Sequence, residues 1–354
     1  MRAGSRVVAS NYRDCLCLVM GACGFLGSRL AVRLLKEGYC VRILDQHRRQ
    51  WNLPESNSNL EEFCGNVLDV KLLDRCLHGV DVLFQFAGQT LPASSNIDPV
   101  ADVSSNLVGN LQILQQAVKQ GVQKVIYPSS GGTVYGITST GPSPISEDHQ
   151  TNPISSYGIV KLAVEKYLAL FERLHGLNYV VLRIGNPYGI GQDPFRGFGV
   201  IASCFGAVVQ GRPIRMWGDG SVIRDFIHVD DVVEAGIKAI GYDGSERIFN
   251  IGTGIGTSIA SVVHLVQEVA DRRCEVVELP ARNVDVPEVV LDVRRAGVEL
   301  NWSPTVSLPE GLRLTWNSYK EELLLNQGLV PQEEGPGRNG PIRPPHEIYA
   351  RPCD

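Results

Sequence analysis

The chain has 354 residues, 33 basic and 38 acidic, for a formal net charge of −5, and 44% of its residues are hydrophobic. That is enough to bury one large core or two modest ones, and the acidic balance argues against a basic nucleic-acid binder. No apolar run reaches the roughly 18 residues a membrane helix needs; the longest, Val200 to Val209, contains Ser203 and Gly206. The first 14 residues lack the apolar stretch of a secretory signal, and the nine cysteines are scattered without zinc-ribbon spacing. Reduced thiols, no metal and a cytoplasmic setting are therefore expected.

In chain order, Cys15–Met20 is a continuous apolar run that reads as a strand buried on both faces. Gly21-Ala-Cys-Gly24-Phe-Leu-Gly27 follows, and Phe25–Glu37 is helical with Leu26, Leu30, Leu34 and Leu35 on one side. Glycines between a strand and a helix let backbone approach a diphosphate, and the helix N-terminus offers free N–H groups. Cys40–Leu44 is a second strand, closed by Asp45, 18 residues after Gly27. A carboxylate there accepts both ribose hydroxyls of an adenosine and repels a 2′-phosphate, which favours NAD over NADP, although Arg48 and Arg49 follow closely. Val80–Phe86 is a further strand, Val103–Gln120 a helix, and Lys124–Tyr127 begins another strand.

That strand runs into Ser129-Ser-Gly-Gly-Thr133-Val-Tyr135-Gly136. Hydroxyls at the C-terminal end of a parallel strand face the ligand crevice. Ser156–His175 is a long helix carrying Tyr157 and Lys161 four residues apart, on one face. A neighbouring ammonium stabilises phenolate, so Lys161 is expected to lower the Tyr157 pKa and make it a base near neutral pH. Asn178–Ile184 is the next strand. Strands alternating with helices predict an α/β fold, a doubly wound parallel sheet of the Rossmann type.

From about residue 186 the rhythm changes to Gly- and Pro-rich segments with helices between them, as in a smaller C-terminal substrate-binding domain. The expected division is an N-terminal extension (1–14), a dinucleotide-binding domain (15–185, with return segments near 225–255), a mainly substrate-binding domain (186–330) and an aperiodic tail (331–354). The tail holds six Pro and three Gly and predicts no packed structure.

The Gly-x-x-Gly-x-x-Gly spacing and the Tyr-x-x-x-Lys pair resemble the extended branch of the short-chain dehydrogenase/reductase superfamily, the NAD-dependent epimerase/dehydratase family. Within it, the chain resembles the UDP-glucose and UDP-N-acetylglucosamine 4-epimerases over roughly residues 15 to 320. The resemblance implies a cofactor site of Gly21, Gly24, Phe25, Leu26, Gly27, Asp45, Asn66, Val67, Phe86, Ala87, Gly88, Asn106 and Ser129, with Tyr157 and Lys161 also touching NAD. Asn66 would accept from the adenine amino group. Lys161 would also hold the nicotinamide ribose. Asn186, Arg224 and Arg282 would meet the sugar diphosphate, for which an arginine fork is suited.

The chain departs from the family at Gly131, where many sugar epimerases carry Ser. The substrate-bridging hydroxyl then falls to Thr133 first and Ser130 second. The acidic pair of the family's dehydratases and the glutamate of its decarboxylating members are both missing from this loop. The resemblance implies first 4-epimerisation of a UDP-hexose or UDP-N-acetylhexosamine with tightly bound NAD. The alternative is NAD(P)H-dependent reduction of a 4-keto-6-deoxy nucleotide sugar by the same residues, and a third reading, a cofactor-bound protein without catalysis, is opposed by the intact Tyr157–Lys161 pair. Val289 aligns with a position that is a bulky aromatic in epimerases restricted to unacetylated sugars, so Val289 and Gly131 together imply room for an N-acetyl group. The helices Val103–Gln120 and Ser156–His175 resemble a dimer-forming pair, which implies a homodimer. His228 is expected to be structural, and Asp230 to cap or orient the following helix.

Overall fold

A computed structural model describes residues 15–49, 58–88, 95–137, 144–282 and 285–326. The two expected terminal segments, 1–14 and 331–354, lie outside these residues. In chain order the first part comprises β1 (Leu16–Met20), α1 (Phe25–Lys36), β2 (Cys40–Asp45), β3 (Leu60–Cys64), α2 (Val70–Leu77), β4 (Val82–Gln85), α3 (Pro99–Asp102), α4 (Gly109–Gln120), β5 (Lys124–Ser130), α5 (Ser156–His175) and β6 (Asn178–Ile184). The second comprises β7 (Asn186–Tyr188), α6 (Val200–Gln210), β8 (Ile214–Trp217), β9 (Ile223–His228), α7 (Val229–Ile240), β10 (Ile248–Ile251), β11 (Gly256–Ser258), α8 (Ile259–Ala270), β12 (Val276–Leu279), β13 (Glu288–Val289), α9 (Arg294–Glu299) and α10 (Leu308–Asn326).

Seven strands form one sheet in the order β10-β6-β5-β4-β1-β2-β3, and every pairing in it is parallel. This is the doubly wound Rossmann-type sheet expected from the alternating pattern. Alternation along each strand sends Cys17, Val19, Val41, Ile43 and Phe84 to one face, under α1 and α7. Leu18, Met20, Leu44 and Leu83 go to the other face, under α2, α4 and α5. Both faces are dry, which is why the strands read as unbroken apolar runs rather than as alternating ones. A third core, with Phe205, Val208, Met216, Val262 and Val266, gathers α6, β8, α8 and α10. β9 binds β7, β11 and β13 in a smaller sheet, while β8 pairs with β12.

The helix expected at Val103–Gln120 starts earlier. Asp98 caps α3 by accepting from Ala101 N (2.9 Å), with Pro99 in the first turn, where its missing N–H is harmless. The chain then widens into a π-helical stretch, Val103–Val108, before α4. Among the described residues Cys17, Cys23, Cys40, Cys76, Cys204 and Cys274 are free cysteines. No helix among the described residues is long and apolar enough to cross a membrane.

Candidate active site

The strand order reverses between β1 and β4, and the crevice that a parallel sheet opens there lies at their C-terminal ends. Gly21 sits in it. Its N–H donates to Leu44 O (2.9 Å), and at φ +77° a Cβ would stand 2.7 Å from Ala87 N and Phe86 C. Only glycine allows that approach of β1 to the segment after β4. Gly24 N donates to Gly21 O (3.1 Å), and Gly24 is the N-cap of α1 without a capping side chain. The N–H groups of Phe25 and Leu26 thus open the helix with no intrahelical acceptor. Gly27 packs directly on Gly21.

Asp45 is held by two backbone donors, Cys23 N on Oδ2 (2.9 Å) and His47 N on Oδ1 (3.0 Å). Each oxygen keeps a lone pair for a ribose hydroxyl. Arg49 pairs with Glu62 (2.8 Å) and Arg48 is exposed. A glycine cradle with a fixed carboxylate beside it fits an adenine dinucleotide. Asn66 differs from expectation: its Oδ1 already accepts from Leu68 N (2.9 Å), closing the turn that precedes α2. One lone pair and the Nδ2 donors remain, while Val67 is half-buried beside it. Gly88 faces Asn106, whose Oδ1 would lie 3.7 Å from a Cβ there; Gln89 lies outside the described residues.

Tyr157 and Lys161 share the first turns of α5, which Ser155 caps by accepting from Gly158 N (3.2 Å). Three further hydrogen bonds pin that end: Ser156 N to Asn96 Oδ1 (2.8 Å), Tyr157 N to Ser95 Oγ (3.1 Å) and Ser156 Oγ to Asp102 Oδ2 (2.6 Å). Lys161 Nζ donates to Pro128 O (2.7 Å) and lies over two rings, 4.7 Å from the centroid of Tyr127 and 5.5 Å from that of Tyr157. Burial lowers the Lys161 ammonium to about 8, against the opposing charges of Glu165 and Asp102. The Tyr157 phenol goes the other way, up to about 12, through burial and then the Asp102 carboxylate. The expected lowering by Lys161 is therefore not present in the protein alone. The ammonium is tied to a carbonyl and sits against the ring faces, and desolvation of the phenolate outweighs it.

The loop after β5 sorts the candidate hydroxyls. Ser129 is buried and donates to Glu165 Oε1 (2.5 Å), so its hydroxyl is turned away from the crevice and only its backbone is left for a cofactor. Ser130 is half-buried and its carbonyl accepts from Thr133 N and Val134 N. Thr133 Oγ1 is buried with no hydrogen-bond partner among the described residues. Gly131 adds no room: Leu291 Cδ1 already stands 2.6 Å from where its Cβ would be. Val289, expected beside the sugar, is 2% exposed, in a cluster with Val134, Tyr135 and Leu291.

Beneath this loop lies a buried network that was not anticipated. Arg183 binds Glu165 through NH2 to Oε2 (2.7 Å) and Nε to Oε1 (3.1 Å), and donates to Tyr135 OH (3.0 Å). Burial opposes the Arg183 charge, but Glu165 and Tyr135 outweigh it and raise its pKa. Tyr135 OH donates to Asn250 Oδ1 (2.6 Å), which ties the loop after β5 to β6, α5 and β10. The available signal was Glu165, one helical turn beyond Lys161, and an arginine inside an otherwise apolar strand.

Across the crevice, Asn186 Oδ1 faces Gly132, 3.7 Å from its Cβ position. Arg224 on β9 donates to Val286 O (2.6 Å) and Ile223 O (2.8 Å). Arg282 is held by Asp285 (2.9 and 3.1 Å) and lies 5.3 Å over the Trp217 ring. Burial and then the nearby Arg282 lower the Arg224 pKa, with Asp285 opposing, which marks a place where an added anion is stabilised. His228, fully buried, is the N-cap of α7, its Nδ1 accepting from Asp230 N (3.4 Å). Asp230 is not the cap; it pairs with Arg29 (2.6 Å). No cluster of metal-ligating side chains occurs among the described residues.

The family model described as the NAD dependent epimerase/dehydratase family matches residues 17–252. A UDP-glucose 4-epimerase of Mycolicibacterium smegmatis is 37% identical over 315 residues, which covers 86% of this chain and 98% of that relative. The structure of a Thermotoga maritima UDP-glucose 4-epimerase with UDP-glucose is similar, at 36% identity and a TM-score of 0.81, covering 87% of this chain and 99% of that one. That of a Thermus thermophilus UDP-glucose 4-epimerase in complex with NAD is 32% identical, with a TM-score of 0.79 and coverage of 86% and 99%.

Proposed function

The chain belongs to the NAD dependent epimerase/dehydratase family, and on that premise we propose that it is a nucleotide-sugar 4-epimerase acting on a UDP-hexose or UDP-N-acetylhexosamine. The observation that carries this is the meeting, at one strand-end crevice, of a glycine cradle with Asp45, the Tyr157–Lys161 pair and the unpaired Thr133 hydroxyl. In this reading residues 15–185 hold NAD and residues 186–330 mainly hold the nucleotide sugar. NAD, when bound, supplies a positively charged ring that takes a hydride from sugar C4 and gives it back.

The chain's own residues do the rest. Tyr157 takes the proton of the 4-hydroxyl and returns it after the sugar has turned over. Thr133, or Ser130 behind it, donates to the sugar oxygen, and Lys161 orients the ribose next to Tyr157. Arg224 and Arg282 hold the diphosphate with Asn186, so the sugar can rotate while its nucleotide stays fixed. We take the enzyme to be a cytoplasmic homodimer that supplies polysaccharide precursors. Exposed Ile159, Leu170 and Leu174 on α5 and Val103 and Val108 before α4 support the dimer.

The test starts with the nucleotide released when the purified protein is denatured. Near-stoichiometric NAD followed by interconversion of UDP-glucose and UDP-galactose, or of the N-acetyl pair, supports the reading. Tyr157→Phe should nearly abolish that turnover and keep its NAD. Protein that carries no nucleotide, binds NADH or NADPH reversibly and consumes it only with 4-keto-6-deoxy sugars would establish the reductase instead.

A further inference from the structure

Asp102 belongs to none of the motifs that bind cofactor or sugar, yet it is fully buried beneath the catalytic helix. It ends α3, the single turn that Asp98 and Pro99 start. The π-helical widening that follows brings Asn106 back over it, and Asn106 Nδ2 donates to Asp102 Oδ1 (2.8 Å). With its amide nitrogen engaged, Asn106 turns its oxygen toward Gly88, on the proposed cofactor wall. The other carboxylate oxygen accepts from Ser156 Oγ (2.6 Å), the residue immediately before Tyr157. We propose that Asp102 is a positioning residue of this site, which fixes Asn106 and the start of α5, the helix that carries Tyr157 and Lys161.

Two carboxylates act on Lys161, Asp102 from α3 and Glu165 from its own helix, while the Tyr127 and Tyr157 rings pack on its Nζ from β5 and α5. Glu165 is engaged by the Arg183 guanidinium. Ser156 and Asn106 are neutral donors, and a hydrogen bond from a neutral donor leaves the charge of a carboxylate in place. Burial has already brought Lys161 down to about 8, so the opposing field decides whether it is charged at physiological pH. The same field raises the Tyr157 phenol, so loss of Asp102 lowers both groups together.

The inference rests on the functional reading above, but its main test does not need catalysis. Lysines labelled with 13C at Cε are titrated by NMR in the full-length, cofactor-free protein, and the Lys161 signal is assigned by its loss in Lys161→Met. In the native protein it should titrate near 8, and in Asp102→Asn at a lower pH. Asp102→Ser, smaller and also neutral, should give the same shift. Ser156→Ala, which keeps the carboxylate, should leave the titration in place. In the epimerase assay both limbs of the kcat–pH profile should move to lower pH in Asp102→Asn, whereas a merely structural loss lowers the plateau without moving them. An unchanged Lys161 titration in the neutral variants, an equal shift in Ser156→Ala, or failure of both neutral variants to fold would overturn the proposal. Absence of epimerisation by the native protein at every pH would instead overturn the functional reading and leave the NMR result standing.

Discussion

Gly131 tests whether packing, rather than chemistry, put a glycine where related epimerases carry a serine. Its φ is not in the left-handed region, so the backbone tolerates any residue. A Cβ there would stand 2.6 Å from Leu291 Cδ1, 3.0 Å from Leu291 Cδ2 and 3.1 Å from Arg183 O. Carbon atoms in good contact sit about 3.5–4.0 Å apart, so Leu291 or the β6 backbone must yield. Leu291 is itself fully buried in a cluster with Val134, Tyr135 and Val289. Gly131→Ala should therefore cost about 1–3 kcal/mol of overpacking, against a gain of about 0.4–1 kcal/mol from the less flexible unfolded chain. Leu291→Ala alone should cost about 2–5 kcal/mol for the cavity. In the double variant the new methyl enters that cavity, so the two losses should fall short of additive by about 1 kcal/mol or more. Urea unfolding followed by tryptophan fluorescence gives all four stabilities. A Gly131→Ala variant as stable as the native protein, or strict additivity, would refute the packing argument. Gly131→Ser carries the same added Cβ, so restoring that serine should lower stability and turnover together and leave Thr133 as the productive hydroxyl.

Three further outcomes follow from other parts of the site. Glu165→Gln leaves the Arg183 guanidinium uncompensated where the pair's side chains are 1% and 3% exposed, so stability should fall by about 3–5 kcal/mol; combined with Arg183→Met the loss should be smaller than the sum, as measured by urea unfolding. Asp45→Asn keeps an acceptor for Cys23 N but removes the charge, so NAD affinity should drop about 10-fold or more and discrimination against NADP should narrow, read by calorimetric titration with both nucleotides. The alkaline pH dependence of stability has a defined sign. Lys161 sits at about 8 in the fold, below its ordinary 10.5, so the penalty of burying its charge is fully present below 8 and is relieved as pH rises toward 10.5. Tyr157, at about 12 against 10.0, contributes stability that is intact below 10 and is lost as pH rises through 12. Four thiols, Cys17, Cys23, Cys76 and Cys204, are also raised by burial and cost stability above about pH 9, so the two contributions are read as differences from the native protein. The urea-midpoint advantage of Lys161→Met over native should shrink between pH 8 and 10.5, and Tyr157→Phe should weaken the fall above pH 10; a Lys161→Met difference that stays constant across that window would contradict the Lys161 assignment.

What could be read from the sequence was whatever obeys a local period or a short motif. The strands announce themselves as apolar runs because both sheet faces are covered, and the glycine turn, Asp45 and the Tyr157–Lys161 pair each sit within one strand–turn–helix unit or one helical turn. The electrostatics were misjudged for a reason the motif cannot contain. Spacing places Lys161 and Tyr157 on one face, but the sign of the Tyr157 shift depends on burial and on Asp102, 55 positions away in the chain. Ser129 reads like its neighbours as a strand-end hydroxyl, and only the pleat decides that it points at Glu165 while Thr133 stays unpaired. Gly131 looked like added space because a missing side chain is read as a void; the void exists only if nothing distant fills it, and Leu291, 160 residues on, does. Each miss has the same origin: a contact between elements far apart in sequence set the charge, the orientation or the free volume of a residue whose identity and secondary structure were already evident. Asp102 is the case with the most at stake, since its neighbours Asp98 and Pro99 mark only a helix start, and its effect on Lys161 and Tyr157 exists only once α3 is laid against α5.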